Sequence, residues 1–194
     1  CYFVLDGMLQ TTEKGKYKMI AFSDEHMHRL YEKFVLEYYR RHHSYLNDIK
    51  SAQVKWNLDD DTDEYMIRFL PAMQTDIFLR KEDQILIIDT KYYGQTLQKQ
   101  YDKASLHSGN LYQIFTYVKN QDVAHTGKVS GLLLYAKTNE SLTPDCSFVM
   151  DGNRIGVKSL DLNKDFSLIS AQLDSIVENW LSDKKVLSIK QKII

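Results

Sequence analysis

Residues 85–88 read Ile-Leu-Ile-Ile and run into Asp89. An apolar run with no polar break suits a strand covered on both faces, the position of a central strand in an α/β sheet. The segments after it agree. Residues 109–120 carry Leu111, Ile114, Phe115 and Val118 at helical spacing, and a second apolar run extends from Val129 to Ala136. Strand, helix and strand in that order predict parallel neighbours, 85–91 and 129–136, joined by a right-handed crossover. The turn residues Asp151-Gly152-Asn153 predict a hairpin between 146–150 and 154–158. A helix is predicted from Ser23 or Asp24 to about His42, with Met27, Leu30, Tyr31, Phe34, Val35 and Tyr38 as its main apolar stripe. Leu36 and Tyr39 form a second, half-buried face. A last helix is predicted over 166–182, with Ile169, Leu173, Ile176, Val177 and Trp180 on one side. Strands are expected at 2–5 and 17–22, and at 52–58 and 64–70 around the acidic tip 59–63, read as a solvated hairpin loop. The sum is an α/β fold, a mixed central sheet flanked by helices.

A chain of 194 residues fits one domain, placed here at 1–194. It begins on Cys1, not methionine, so it is expected to be the C-terminal part of a longer protein. The longest apolar runs are too short to cross a membrane. Two cysteines make no disulfide or metal framework and point to a reducing compartment. A net charge of −1 excludes a strongly basic nucleic-acid binder but leaves room for a local basic groove. No glycine-rich phosphate loop or serine-hydrolase elbow occurs, so the chain itself is not expected to bind or hydrolyse GTP.

The chemistry concentrates around the first apolar run. If 76–79 and 85–91 form a tight hairpin turning at Glu82-Asp83, paired residue numbers sum to 165. Asp76 then faces Asp89, with Cβ atoms about 4.5–5.5 Å apart, and Lys91 points to the same side. Facing carboxylates repel unless something compensates them. A divalent cation would do so, and Mg²⁺ is commonly held by one or two carboxylates with water and substrate phosphate. A neighbouring ammonium can orient water and stabilise developing negative charge. The pattern therefore proposes a metal-dependent phosphodiester hydrolase. The alternative is two strand-end aspartates, solvated or paired with Lys91.

Thr75-Asp76 followed by Asp89-Thr90-Lys91 resembles the PD-(D/E)XK nuclease signature, with threonine where the pattern has proline. A closer resemblance is to the nuclease domain of McrC-like subunits of 5-methylcytosine-dependent restriction systems. It is carried by Leu30-Tyr31-Glu32-Lys33-Phe34-Val35, Glu37-Tyr38-Tyr39-Arg40-Arg41, Thr75-Asp76-Ile77 and Ile88-Asp89-Thr90-Lys91-Tyr92-Tyr93, and spans about residues 1–160. The resemblance implies a restriction-endonuclease-like core and Mg²⁺-dependent DNA cleavage, with Mn²⁺ able to substitute. Asp76, Asp89 and the Thr90 carbonyl would hold the metal, and Lys91 would position the attacking water. Glu32, from an early helix, would be a third acidic group. It also implies a partner, a ring-forming McrB-like AAA+ GTPase engaged through a region missing here. Two nuclease domains would meet on DNA, in the cytoplasm of a bacterium or archaeon.

Gln113 and Tyr117, at i and i+4, are expected on the helix face away from the core stripe. Their spacing resembles a motif of RecB-like members of the superfamily, where such a pair positions substrate. Tyr93 is expected to do the same. Lys99, Lys103 and His107, interleaved with Tyr92, Tyr93 and Tyr101, could track phosphates. Glu37 is expected to pair with Lys33 and Arg41, and His26, His28, His42 and His43 to be helix-surface residues. The rival readings are a RecB- or Cas4-like single-strand exonuclease and a non-catalytic interaction module on the same fold.

Overall fold

The computed structural model describes residues 24–92, 97–100, 103–137 and 144–182. The strands expected at 2–5 and 17–22, and the candidates Tyr93 and Tyr101, lie outside these residues. The chain runs α1 (Asp24–His42), β1 (Asp48–Lys50), β2 (Gln53–Val54), α2 (Glu64–Ile67), β3 (Met73–Gln74), β4 (Ile77–Lys81) and β5 (Gln84–Lys91). It continues with β6 (Leu97–Gln100), β7 (Lys103–Leu106), α3 (Ser108–Gln121), β8 (Val129–Ala136), β9 (Cys146–Met150), β10 (Asn153–Leu160) and α4 (Phe166–Trp180).

Six strands form a mixed sheet in the order β1-β4-β5-β8-β10-β9. The central pairs β5–β8 and β8–β10 are parallel, and the outer pairs are antiparallel. This is the mixed α/β architecture expected. The parallel pairing of 85–91 with 129–136 is as the alternation of elements predicts. The hairpin register also matches: Ile77 faces Ile88 and Phe78 faces Ile87. The β9–β10 turn is tighter than expected, with Asn153 already paired to Met150 and positive φ at Asp151 and Gly152.

The sheet buries two cores because its strands alternate. Leu86, Ile88, Leu132 and Leu134 face a core shared with α1 and α4. Ile87, Leu133, Tyr135 and Ile155 face a second core under α3, with Val54 and Met73 of the small β2–β3 ladder. Every residue of β8 is buried, which explains its unbroken apolar sequence.

Four local expectations are corrected. Residues 64–70 are not a strand: Asp63 accepts a hydrogen bond from the Tyr65 backbone N–H at 2.8 Å and caps the short helix α2. Capping satisfies an orphan donor locally, which a carboxylate at that position favours over a sheet ladder. Only Gln53–Val54 of the expected strand 52–58 is extended, pairing with β3. On α1, Leu30 is exposed while Leu36 and Tyr39 are buried, because the helix is covered by both the sheet and α4. Glu37 pairs with Arg40 at 2.7 Å.

His43 is likewise not a surface residue. It follows the last turn of α1 and is buried, with Nδ1 2.9 Å from the Tyr45 hydroxyl and Nε2 2.8 Å from Asp174 Oδ1. The Tyr38 hydroxyl donates to the same Asp174 oxygen at 2.7 Å. These bonds tie α1 to α4 and account for the polar groups that close helix packing would otherwise strand.

Gly131 sets how closely α3 approaches the sheet. A Cβ there would lie 2.7 Å from Ile114 Cγ1 and 2.8 Å from Val118 Cγ2. Gly131→Ala is therefore expected to destabilise by about 1–3 kcal/mol through overpacking. Gly109, on the same helix with nothing within 4 Å of an added Cβ, should gain up to about 1 kcal/mol as alanine. Urea denaturation of the two variants checks this, and equal effects would contradict the packing.

Candidate active site

The candidate residues gather where β5 ends. The β4–β5 ladder ends at Ile77 opposite Ile88, and Asp76 stands at a bend just before it, so the expected facing pair of Asp76 and Asp89 is not part of the ladder. Alternation sends Asp89 and Lys91 to the side of Ile87, beneath α3, and Thr90 to the side of α1. Carboxyl ends of parallel strands are where α/β sheets commonly bind ligands, since neighbouring connections diverge there.

Asp76 is held in a defined rotamer. Its Oδ2 accepts from the Thr90 backbone N–H at 2.6 Å and from Thr90 Oγ1 at 2.8 Å. Thr90 is fully buried, so this clamp is fixed to the rigid sheet. Upstream, Thr75 is also buried; its N–H donates to the Ala52 carbonyl at 2.8 Å and its hydroxyl to the same oxygen at 3.0 Å. Threonine at the position before Asp76 thus anchors the strand to the segment carrying β2.

Asp89 and Lys91 form a buried ion pair, Oδ2 to Nζ 2.7 Å. The buried Asp89 Oδ2 faces the Lys91 ammonium directly. Burial raises the Asp89 carboxyl to about 7; Lys91 opposes this, while Asp76 and Glu32 add to it. Glu32 is also raised, first by burial and then by Asp76, with Arg29 pulling the other way. Glu32, Asp76 and Asp89 therefore share one field, although they rise from α1, the residue before β4, and β5.

On the other side of the ion pair stands α3. Lys91 Nζ donates to Gln113 Oε1 at 3.3 Å, and Gln113 Nε2 donates to the Tyr117 hydroxyl at 3.0 Å. The expectation that this pair faces away from the core is corrected in part. Tyr117 is buried in the second core with Ile114 and Val118, whereas Leu111 and Phe115 are only partly buried. The helix approaches a curved sheet end, so its covered arc is displaced from the one that simple spacing suggests. Tyr117 fixes the Gln113 amide, and Gln113 reaches the lysine.

Two supporting residues carried no sequence signal of their own. Tyr135 pairs with Lys91 across the parallel ladder and is fully buried. Its hydroxyl accepts from Asn110 Nδ2 at 2.9 Å, holding the first turn of α3 over the strand ends. Only the register could have revealed this. Tyr92 is half-buried against Tyr31, ring centroids 6.1 Å apart, so it packs rather than lines a groove. His107 is the residue before α3. Lys99 and Lys103 belong to the β6–β7 ladder.

Among the described residues, no three His, Cys, Asp or Glu side chains converge into a complete metal set. Asp76 and Asp89 are oxygen donors of the kind that suit a hard cation that keeps most of its waters. Asp89 fits that role: a buried carboxylate raised by the negative charges of Asp76 and Glu32 is one that a divalent cation would relieve. A cleft of about 300 Å³ lies elsewhere, between β9, β10 and α4, where Arg154 stacks on Trp180 at 3.7 Å. It contains none of the candidate residues. No helix among the described residues is long and apolar enough to cross a membrane.

Residues 1–136 match the family model of the McrBC 5-methylcytosine restriction system component. Over 183 residues the chain is 28% identical to the Type IV methyl-directed restriction enzyme EcoKMcrBC of Escherichia coli (strain K12). That alignment covers 93% of this chain and 51% of the relative, so the chain spans about half the length of the curated protein it matches. Glu32, Asp76, Asp89, Thr90, Lys91, Gln113 and Tyr117 all lie inside the family match.

Proposed function

Because the chain belongs to the family of McrBC 5-methylcytosine restriction system components, we propose that it is the nuclease element of such a system and hydrolyses DNA phosphodiester bonds. The observation that carries this reading is the buried Asp89–Lys91 pair beside the clamped Asp76. Asp76, Asp89 and the Thr90 carbonyl would hold Mg²⁺, or Mn²⁺ in its place. Bound there, the ion would neutralise scissile-phosphate charge and lower the pKa of a coordinated water.

The protein's own residues supply the rest. Thr90 holds Asp76 in one orientation, so little order is lost when the site fills. Lys91 Nζ, restrained by Asp89 and Gln113, can orient the attacking water and stabilise negative charge developing on phosphate oxygens. Tyr117 keeps the Gln113 oxygen turned to the lysine, which makes Gln113 and Tyr117 positioning residues. Glu32 adds negative charge near Asp76 and favours occupancy by a cation. Two such domains meeting on a duplex would cut both strands, and an AAA+ GTPase would deliver the DNA.

The test is cleavage of methylated and unmethylated plasmid by the chain with its GTPase partner, Mg²⁺ and GTP. Asp76→Asn, which keeps shape and removes charge, should cut at least about 10²-fold more slowly. Undiminished cutting by Asp76→Asn would overturn the assignment. Degradation of linear but not circular single strands would favour the exonuclease reading instead, for which the Gln113–Tyr117 pair speaks. Inactivity on every substrate despite an intact fold would favour a non-catalytic module.

A further inference from the structure

Between β2 and β3 the chain leaves the body of the fold. Of residues 57–72, all but Thr62 are exposed, and α2 buries no residue. Six large apolar side chains stand open here: Leu58, Tyr65, Met66, Ile67, Phe69 and Leu70, with Phe69 65% and Met66 58% exposed. Scattered exposed apolar residues need no explanation, but a contiguous group rimmed by charge marks an interaction surface.

The excursion is built rather than frayed. Trp56 Nε1 donates to the Pro71 carbonyl at 2.8 Å, closing its base. The Asn57 N–H donates to Asn120 Oδ1 at 2.8 Å, fastening it to α3. At the tip, the Arg68 guanidinium lies 3.5 Å over the Tyr65 ring and 5.2 Å over the Phe69 ring, and the two rings meet edge to face at 5.7 Å. Aromatic side chains held in fixed orientations lose little entropy on contact, the character of binding hot spots.

Charge selects the occupant. Asp59, Asp60, Asp61, Asp63 and Glu64 lie beside the apolar residues in the chain and are all exposed, against the single Arg68 within 58–70. Five carboxylates oppose the approach of a phosphate backbone or an anionic membrane. They also oppose a two-fold contact of the tip with itself, because an isologous interface would set the acids face to face. We infer that residues 58–70 are a docking hook for another protein of the restriction assembly, one presenting an apolar groove edged with lysine and arginine. The apolar tip would enter the groove, and the acids would meet the basic rim, setting orientation and encounter rate.

The inference rests on the reading that the chain works within a multi-protein restriction complex. The probe is the GTPase partner with methylated duplex, assembled with a chain carrying photoreactive benzoylphenylalanine in place of Met66. The expected product joins the chain to the GTPase. Asp59→Asn/Asp60→Asn/Asp61→Asn and, separately, Tyr65→Ala/Phe69→Ala should each lower the yield at least fivefold. A crosslink only to DNA, only to a second copy of the chain, or to nothing would overturn it, as would unchanged yields in both variants. Cleavage by the unsubstituted complex is measured in parallel. A crosslinked but inactive assembly sinks the nuclease reading alone, and an active assembly without the crosslink sinks the hook alone.

Discussion

Lys91→Ala and Asp89→Ala are each expected to reduce DNA cleavage by about 10²–10⁴-fold, and to lose stability in a pattern that betrays their pairing. Each partner is buried, and their charged atoms are 2.7 Å apart. Removing Lys91 leaves an Asp89 carboxyl that takes up a proton, since burial already raises it to about 7. Removing Asp89 leaves the Lys91 ammonium buried without its partner, which costs about 3–5 kcal/mol. Removing both leaves no such charge. The Asp89→Ala/Lys91→Ala double variant should therefore be more stable than the sum of the singles predicts, and at least as stable as the worse of them, yet equally inactive. Urea denaturation of the four proteins gives the coupling directly. Additive losses would mean that the ion pair does not persist in solution, and Lys91 would then lack the restraint that makes it suited to orient water. The cycle separates a fault in chemistry from a fault in folding, which a single alanine here cannot do.

Asp122→Ala is expected to cost about 3 kcal/mol or more, although the residue is remote from any chemistry. Asp122 is buried after the last turn of α3. Its Oδ1 accepts from the Thr126 N–H at 2.9 Å and the Thr126 hydroxyl at 2.7 Å. Its Oδ2 accepts from the Gly127 N–H at 2.8 Å and Asn153 Nδ2 at 2.7 Å. Gly127 stands at φ 67°, which turns its N–H to this carboxylate. Four hydrogen bonds to a buried carboxylate are lost together in the alanine variant; the exposed Thr126 donors can turn to water, whereas the buried Asn153 amide keeps only the Val129 carbonyl. The same bonds set an acid dependence. Burial pushes the Asp122 carboxyl up, but the hydrogen bonds from Thr126, Asn153 and Gly127 outweigh it and bring it down to about 2. A folded pKa below the unfolded value gives stability that is present above pH 4 and lost as pH falls through 2. The amount is about 2 kcal/mol. Denaturation at pH 7 and pH 2.5 should show this loss in the native protein and not in Asp122→Asn, when surface carboxylates common to both are compared out. An identical acid response in the two proteins would refute the assignment.

The sequence alone determined the hairpin register and the parallel β5–β8 unit. Both follow from patterning that a one-residue slip would reverse: Ile77, Phe78, Ile87 and Ile88 are buried on alternate faces, so only one pairing keeps all of them out of water. Asp89 and Lys91 were legible for the same reason, since they continue β5 past the apolar run, whereas Asp76 stands at a bend before β4 with its carboxylate on Thr90. Tertiary structure decided what single-element periodicity does not encode. His43 and Leu36 are buried because α4, more than 120 residues further on, covers them. Tyr117 is buried because α3 lies on the sheet at a distance that Gly131 allows. Lys91 meets Gln113 only through that approach, and Asn110 reaches Tyr135 only because the parallel ladder sets Tyr135 beside Lys91. Residues 58–70 show the converse. Residues 64–70 among them were expected to be a strand, but a carboxylate cap made a helical turn of their first residues. With no second layer to cover that turn, its aromatic side chains remain at the surface.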